Sequence, residues 1–362
     1  MTEDLRRQVL AAKEAARKLR VLSSSKKNAA LLAMAKALRE RADEVLAANR
    51  EDLDQGRERG LSKALLDRLA LNQDRVEGLA KGLEEVAALP DPVGEVEGMW
   101  KRPNDLQVGL VRVPLGVVAM IYEARPNVTA DAAGLCLKAG NSVVLRGGSE
   151  AIRSNIAIGN VICDAIAEVG LPKEAVCVVQ NTDRKLVREL IRMHDAIDVV
   201  IPRGGAGLIR TVVEEATVPV IETGVGNCHT YVDKAADLQM ALEIAINAKI
   251  QRPGVCNAME TLLVHGEIAE AFLPKLAEQL LDKVELRGCP ETCRLIPQAK
   301  PATEEDWATE YLDYILAIRV VPSFADAVAH INQYSTGHSE AIVTEDYSAA
   351  RRFLEEIDAA AV

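Results

Sequence analysis

The chain has 362 residues, of which 49% are hydrophobic and 27% charged, and its formal net charge is −11. This composition is globular and long enough for two domains, and its acidity argues against general nucleic-acid binding. No apolar run approaches the roughly 18 residues that a membrane span requires. Because the first residues lack an apolar signal core and the seven cysteines are scattered, we expect reduced thiols and a cytoplasmic location.

Helical periodicity dominates residues 3–89. Ser23, Ser24 and Ser25 precede a run with apolar residues at Leu31, Met34, Ala35 and Leu38, which is the spacing of one buried helix face capped by serine. The charged residues of this section are typical of solvated helix faces. The sequence therefore predicts a set of amphipathic helices at the N-terminus.

A β-hairpin is predicted next, over about residues 94–113. Residues 96–100 and 108–113 are strand-like, and Pro103, Asn104 and Asp105 form the turn between them. A two-stranded arm of this kind has free edges, so we expect it to pair with another subunit in a homo-oligomer.

From Gly116 short apolar strands alternate with helices, which is typical of a parallel sheet covered on both faces. The predicted fold class is α/β, with a doubly wound cofactor domain followed by a second α/β catalytic domain. Two glycines, Gly224 and Gly226, mark the boundary, so we assign residues 1–224 and 225–362 to the two domains. The strands predicted before the boundary are 117–122, 142–145, 176–179, 197–201 and 218–221; those after it are 229–232, 261–264, 315–320 and 341–343.

Cys256 is the candidate nucleophile. It follows a Pro-Gly turn at the end of a helical run, with Arg252 four residues and Lys249 seven residues before it. A loop thiol beside fixed positive charge is the usual setting of a reactive thiolate. The alternative, a loop cysteine without function, remains open on this local pattern.

The other cysteines have simpler interpretations. Three of them lie within apolar helix or strand patterns and are expected in the core, and Cys228 is expected to line a cleft. Cys289 and Cys293 are spaced like half a zinc site, but no second pair accompanies them. No metal site is therefore predicted.

Polar residues and glycines follow several strands. Asn127 stands between a strand and a helix, as an N-cap or as an amide donor at the carboxyl end of the strand. Residues 146–150 (Arg-Gly-Gly-Ser-Glu) and 202–207 (Pro-Arg-Gly-Gly-Ala-Gly) each join a strand to a helix, where backbone amides attract phosphate. Arg146 could pair with a phosphate. Two such turns in one sheet suggest a dinucleotide.

Several segments together resemble the γ-glutamyl phosphate reductase family of the aldehyde dehydrogenase superfamily. The resemblance runs over essentially the whole chain and is carried by residues 116–127, 138–150, 201–205, 222–229 and 248–260. Its most specific part is Gln251-Arg-Pro-Gly-Val-Cys-Asn-Ala-Met-Glu-Thr-Leu-Leu-Val264. The cysteine loop of ordinary aldehyde dehydrogenases reads differently.

The resemblance implies NADPH-dependent reduction of L-glutamyl 5-phosphate to L-glutamate 5-semialdehyde, a step of proline biosynthesis, through a thioester on the catalytic cysteine. It also implies a role for each matching position. The matches are Cys256 as nucleophile, Asn127 as oxyanion-hole amide, Arg146, Ser149 and Glu150 at the adenosine ribose, Gly204 and Gly205 under the pyrophosphate, and Glu310 at the nicotinamide ribose. Gly147 is a further candidate cofactor-binding residue. Arg125 and Arg252 are our candidates for the substrate's phosphate or α-carboxylate.

Two alternatives and one departure accompany the resemblance. Glu222 falls where hydrolytic members keep a general base, so a hydrolytic semialdehyde dehydrogenase is one alternative. Family members continue beyond the last residue with an Asn-Ala-Ser-Thr-Arg motif, so we expect a missing C-terminal tail. A nucleotide-binding chain without turnover is therefore the other alternative. The kinase that makes the acyl phosphate, glutamate 5-kinase, is a possible partner.

Overall fold

The computed structural model describes residues 2–222 and 224–362; Thr223, inside the 222–229 motif, lies outside the described residues. The chain divides into two compact units, residues 1–223 (unit 1) and 224–362 (unit 2). No helix among the described residues has the length and apolar character needed to cross a bilayer.

Unit 1 begins with the predicted helices. Ser23 caps the second of them by accepting a hydrogen bond from the Lys26 N–H, as its position in the serine run predicted. The helices are α1 (Thr2–Leu19), α2 (Ser24–Glu40), α3 (Ala42–Glu58), α4 (Lys63–Leu69) and α5 (Gln73–Ala88).

The predicted hairpin is also present. Strands β1 (Val96–Lys101) and β2 (Gln107–Val111) pair antiparallel, with a register shift between Val96 and Gly98. Nearly every residue of the two strands is exposed, including Met99 and Trp100, which are 66% and 50% exposed.

A four-stranded parallel sheet follows. Its spatial order is β5-β4-β3-β6, which runs 3-2-1-4 in chain order. The elements are β3 (Val117–Tyr122), α6 (Asn127–Lys138), β4 (Ser142–Gly147), α7 (Ile152–Glu168), β5 (Val176–Val178), α8 (Arg184–Leu190), β6 (Val199–Arg203) and α9 (Ala206–Glu215), with 3₁₀ turns at Ser149–Ala151 and Lys173–Ala175.

The prediction of a strand at residues 218–221 is wrong. Val220 makes an isolated bridge to Val200, so the segment touches the edge of β6 without forming a ladder.

Two apolar clusters cover the two faces of this sheet, as the doubly wound prediction requires. One packs α2, α5, α6 and α7 against residues such as Val143 and Leu145. The other packs α1 and α8 against residues such as Ala119 and Val144. Neighbouring residues of β4 thus point to opposite cores, because side chains alternate along a strand.

Unit 2 holds a six-stranded parallel sheet of order β10-β9-β11-β8-β7-β12. The segment 285–307 contains short elements that the sequence patterns did not predict. The elements are β7 (Cys228–Val232), α10 (Leu238–Ile250), β8 (Met259–His265), α11 (Gly266–Leu280), β9 (Glu285–Gly288), α12 (Pro290–Leu295), β10 (Lys300–Pro301), α13 (Glu304–Trp307), β11 (Ile315–Val321), α14 (Phe324–Tyr334), β12 (Glu340–Val343) and α15 (Tyr347–Glu356).

A buried carboxylate on α3 anchors the start of α7. Asp52 is fully buried at its side chain and accepts hydrogen bonds from the Ser154 N–H at 2.8 Å and the Ser154 hydroxyl at 2.7 Å. Because Asp52→Ala leaves these buried donors without an acceptor, we expect it to cost about 2 kcal/mol. That corresponds to a fall in Tm of about 5 °C in thermal unfolding.

Asp54→Ala is the matched control on the same helix. Asp54 pairs with Arg57 at the surface, where an ion pair contributes little, so its Tm should stay within error of the wild type. Equal shifts in the two variants would contradict the anchoring role of Asp52.

Candidate active site

The candidate cofactor residues of unit 1 lie at one edge of its sheet. In the parallel register Tyr122 is level with Gly147 on one side and with Arg203 on the other. The turns after β3, β4 and β6 therefore leave the sheet at the same, carboxyl edge. Gly204 and Gly205 form the turn between β6 and α9.

The carboxylate of Glu123 bridges two of these turns. Its Oε2 accepts a hydrogen bond from the Gly205 N–H at 2.9 Å, at the amino end of α9. A Cβ on Gly204 would lie 2.6 Å from the same oxygen, so the carboxylate packs directly against the backbone of this turn. An acidic side chain thus lies at the helix end where a phosphate is predicted to bind.

The bridge crosses the point where the strand order reverses. The helices after β3 and β4 pack on one face of the sheet, whereas α8, before β6, packs on the other. Ligands of open α/β sheets bind in the crevice at such a switch point, outside the carboxyl ends of the strands.

Arg146, at the end of β4, is 8% exposed. Its Nη2 donates to the Thr182 carbonyl at 2.7 Å, and its buried Nε has no partner among the described residues. Burial lowers the pKa of this guanidinium, and the neighbouring Glu150 carboxylate opposes the shift. Part of the guanidinium is thus engaged by backbone, and its buried Nε is left without a partner among the described residues.

Two side chains pack closely on the glycines of the turn after β4. A Cβ on Gly147 would lie 2.1 Å from Asn155 Nδ2, and one on Gly148 would lie 2.1 Å from Glu150 Oε1. That Glu150 oxygen accepts the Ala124 N–H at 2.7 Å, and Ala124 has a φ of +33°. The carboxylate thereby holds a backbone conformation that residues other than glycine rarely adopt.

A cavity of about 420 Å³ opens beside these turns. Ser149 and Glu150 line it together with Glu123 and Arg59. Arg146, Gly204 and Gly205 are not among its lining residues. The structure thus brings two of the predicted ribose contacts, Ser149 and Glu150, to a common cavity of unit 1.

Asn127 is not an N-cap. The capping position of α6 is Pro126, and Asn127 is the first helical residue. Its half-buried side chain donates to Asp131 Oδ2 at 2.9 Å, one helical turn on. This corrects the capping alternative and leaves an amide in the first turn after β3. Arg125, two residues earlier, is also half-buried.

In unit 2 the candidate residues lie at the opposite edge, where strands begin. Cys256 precedes β8, Gly226 precedes β7 and Glu310 precedes β11, and these three strands are adjacent in the sheet. Because the strands are parallel, the three preceding loops meet at the amino edge.

The Cys256 loop packs closely on the start of β7. A Cβ on Gly226 would lie 1.6 Å from the Cys256 carbonyl oxygen, so glycine is required here by contact. The Cys228 thiol donates to the same oxygen at 3.2 Å. Cys228 is 3% exposed and packs under the loop, which corrects its predicted place on a cleft surface.

The thiols of the chain differ in their surroundings. Burial raises the pKa of Cys136, Cys177 and Cys228 to about 12, and that of Cys163 to about 11, which makes these thiols poor nucleophiles. Cys256 is half-buried, and its N–H donates to no residue in the described part of the chain. That N–H is therefore available to an oxyanion.

Lys249 is not a free charge beside the thiol, and this part of the sequence prediction is wrong. Its Nζ lies 2.6 Å from Glu260 Oε2, and both side chains are fully buried. Arg252 is exposed and makes no ion pair with a described residue. Of the two predicted cations, Arg252 alone faces solvent.

Glu310 is tied to the same edge. Its Oε1 accepts the Gly226 N–H at 2.8 Å, which places its carboxylate next to the backbone that contacts Cys256. Asn227, which the sequence analysis did not single out, is fully buried and donates to the carbonyls of Trp307 and Tyr334. These bonds join the loop before β7 to the last residues of α13 and α14.

Glu222 is exposed and has no hydrogen bond or ion pair to a described residue. Cys289 and Cys293 bond to their own turn, through Thr292 Oγ1 and the Gly288 carbonyl. Among the described residues, no group of three histidine, cysteine, aspartate or glutamate side chains is arranged to hold a metal ion.

Sequence patterns held signals for some of the missed residues. Lys249 follows Ala241 and Ala245 on the buried face of α10, and Glu260 interrupts the apolar run of β8. A charged residue at such a position needs a buried partner of opposite sign. Glu123 and Asn227 carry no comparable signal, because polar residues are ordinary in loops.

Comparison with known proteins places the chain in a family. Residues 1–299 match the model of the aldehyde dehydrogenase family. The γ-glutamyl phosphate reductase of Moorella thermoacetica is 64% identical over 97% of this chain and 84% of its own length. That of Caldanaerobacter subterraneus subsp. tengcongensis is 57% identical over 97% of this chain and 85% of its own length.

Solved structures agree with this placement. The crystal structure of γ-glutamyl phosphate reductase from Thermotoga maritima has a TM-score of 0.96 and 51% identity, covering 99% of this chain and 87% of its own. A probable aldehyde dehydrogenase from Listeria monocytogenes, 17% identical over 99% of this chain and 84% of its own, shares the fold with a TM-score of 0.70. The chain therefore belongs to the aldehyde dehydrogenase family and, within it, to the γ-glutamyl phosphate reductases.

Proposed function

We propose that the chain reduces L-glutamyl 5-phosphate to L-glutamate 5-semialdehyde and phosphate, with NADPH as reductant, in proline biosynthesis in the cytoplasm. The observation that carries the proposal is Cys256. It is a half-buried thiol in a loop whose sequence matches the family, and its own N–H is available. The high identity to γ-glutamyl phosphate reductases supports the choice of substrate.

The chemistry begins at the Cys256 thiolate. It attacks the acyl phosphate carbonyl, and negative charge moves onto the carbonyl oxygen. The Cys256 N–H and the Asn127 amide are the proposed donors to this oxyanion; removing one such donor in other enzymes costs about 2.7–4 kcal/mol. Phosphate then leaves and a thioester remains on the cysteine, which divides one difficult step into two easier ones.

The family uses nicotinamide cofactors, and the residues of unit 1 fit such a group. Glycine turns stand at the switch point, α9 presents backbone amides, and the orphaned Nε of Arg146 needs a partner. Arg146, Gly147, Ser149, Glu150, Gly204 and Gly205 would hold the dinucleotide, and Glu310 its nicotinamide ribose. When bound, it supplies the hydride that reduces the thioester.

Glu123 and Arg252 also respond to bound ligands in this proposal, Glu123 by giving way and Arg252 by binding. Glu123 would release the Gly205 N–H to a bound pyrophosphate, since both need the same amide. Arg252, exposed and without an ion pair among the described residues, meets the phosphate or α-carboxylate of the substrate, and Arg125 assists. Glu222 has no role as a base in the forward reaction, because the thioester must meet hydride before water.

The hairpin supports a homo-oligomer. Its exposed strands carry large apolar side chains and have unpaired edges, as expected of an arm that pairs with a strand of another subunit. Glutamate 5-kinase remains a proposed partner, since its acyl phosphate product is unstable.

Phosphate dependence tests the proposed function. In the reverse direction we expect NADP⁺ reduction, followed by absorbance with L-glutamate 5-semialdehyde, to require added phosphate. Glu222→Gln should leave this rate unchanged. Phosphate-independent reduction that Glu222→Gln abolishes would instead establish the hydrolytic alternative, and bound NADP⁺ without any reduction would establish the chain without turnover.

Cys256→Ala tests the nucleophile. We expect turnover to fall by about 10⁴-fold or more, because the covalent route is lost, while NADPH binding measured by fluorescence is retained. Cys289→Ala removes another thiol of unit 2 and should behave like the wild type. Mass spectrometry should find the acyl adduct on Cys256 in the wild type and none in Cys256→Ala; substantial turnover in that variant would refute the thioester route.

Arg146→Met tests the preference for NADPH. If the guanidinium meets the 2′-phosphate, losing one charge-assisted hydrogen bond raises KM for NADPH by about tenfold or more and leaves KM for NADH nearly unchanged. Arg184→Met, which removes a neighbouring exposed charge, is the control. A loss of preference in the Arg184 variant alone would reassign the contact to that residue.

A further inference from the structure

A buried ion pair lies beneath the Cys256 loop, and the inference drawn from it rests on the proposed function. Lys249 is near the end of α10 and Glu260 near the start of β8, so the pair joins the two ends of the segment that carries Cys256. The Nζ–Oε2 distance is 2.6 Å, and neither side chain is exposed.

Stability alone is a poor explanation of this pair. Taking two charges out of water costs several kcal/mol per ion, and well-packed apolar residues often do as well or better in their place. The surrounding positions would accept apolar residues, since the buried face of α10 carries Ala241 and Ala245 and every residue of β8 is buried. A requirement for position explains the charges better.

The second oxygen of Glu260 shows what is positioned. Oε1 accepts the Leu312 N–H at 3.0 Å, and Leu312 has a φ of +54°, a conformation that needs such support. Leu312 is two residues from Glu310, whose Oε1 accepts the Gly226 N–H at 2.8 Å. Gly226 in turn touches the Cys256 carbonyl, so the contacts form a closed circuit.

Lys249 also reaches the Glu310 segment directly. Its Nζ lies 6.0 Å from the centre of the Tyr311 ring, within reach of a cation–π contact. The Tyr311 hydroxyl donates to Asp306 Oδ1 at 2.8 Å, and Arg287 pairs with the same oxygen at 2.6 Å. The ring against which the ammonium lies is thus itself fixed.

We propose that Lys249 and Glu260 are positioning residues that hold the Cys256 loop in register with the segment carrying Glu310. The Glu260 carboxylate contacts both segments, because its Oε2 pairs with Lys249 and its Oε1 accepts a backbone N–H of the Glu310 segment. Neither residue touches the reacting atoms. Their effect is to keep the nucleophile and the Glu310 carboxylate at one mutual geometry.

Glu260→Gln is the sharpest variant. It keeps the shape of the side chain but has a single carbonyl oxygen, so it cannot accept from both Lys249 and the Leu312 N–H. We expect kcat to fall by about tenfold or more, since a displacement near 1 Å costs about 10²-fold. Lys249→Met should lower kcat by a similar factor. Lys249→Arg keeps the charge and should retain part of the wild-type kcat.

Stability and position are separated by two further variants. Lys27→Met removes a matched pair in unit 1, where Lys27 is buried and lies 2.6 Å from Asp91; it should lower Tm but leave kcat unchanged. The double variant Lys249→Leu/Glu260→Met replaces both charges by apolar groups and should recover the Tm while kcat stays low.

A readout independent of the cofactor completes the test. Alkylation of Cys256 by iodoacetamide, measured by mass spectrometry at a temperature well below Tm, reports how accessible the thiol is. We expect it to be severalfold faster in Glu260→Gln than in the wild type or in Lys27→Met. Unchanged kcat and alkylation in Glu260→Gln and in the double variant would overturn the proposal and leave the pair a structural one. A wild type without phosphate-dependent NADP⁺ reduction would refute the proposed function, and the alkylation comparison would still decide the positioning role.

Discussion

The parallel pairing of β3 with both β4 and β6 is the constraint on which the candidate cofactor site depends. Since all three strands run the same way, the turns that follow them leave at one edge. The 3-2-1-4 order then sends helices to opposite faces and opens a crevice between β3 and β6. Glu123 spans that crevice to Gly205, so the backbone amide at which the proposed phosphate would bind already holds a carboxylate of the chain itself.

Unit 2 uses the other end of a parallel sheet. Its candidate residues come before β7, β8 and β11, and backbone contact between Gly226 and the Cys256 carbonyl holds two of the loops together. Loops at this edge must be fixed by buried side chains. Asn227 does so through two carbonyls, and Glu260 does so through Lys249 and Leu312.

The success of sequence reasoning followed the strength of the local pattern. Strand β3 was predicted to the residue, because its six residues form an apolar run of which five are buried under helices on both faces. The segment 218–221 is similarly apolar, yet it forms only an isolated bridge to β6, because Pro219 has no N–H to donate to the ladder. Strand β9 was missed because its four residues include Glu285 and Arg287, which pair with each other at the surface.

The candidate site shows the same limit. The glycines and Cys256 were found because their types are unusual at their positions, whereas the partners that fix them come from distant parts of the chain. Leu312 binds Glu260 across 52 residues, and no spacing rule reaches that far. The family resemblance predicted roles for residues such as Glu310, and the structure adds that its carboxylate accepts the Gly226 N–H, a contact that no sequence pattern indicated.

The two cations near Cys256 show that the sequence spacing of a charged residue does not reveal whether its charge is paired in the fold. Lys249 and Arg252 are three residues apart, so on a helix they would share a face, but α10 ends at Ile250 and Arg252 falls in the loop. Lys249 is therefore buried and neutralised by Glu260, while Arg252 stays exposed. An anionic substrate is attracted by unpaired charge, so we propose Arg252 as the cation of this loop that meets the acyl phosphate, and Lys249 as a residue that acts through the geometry of the loop.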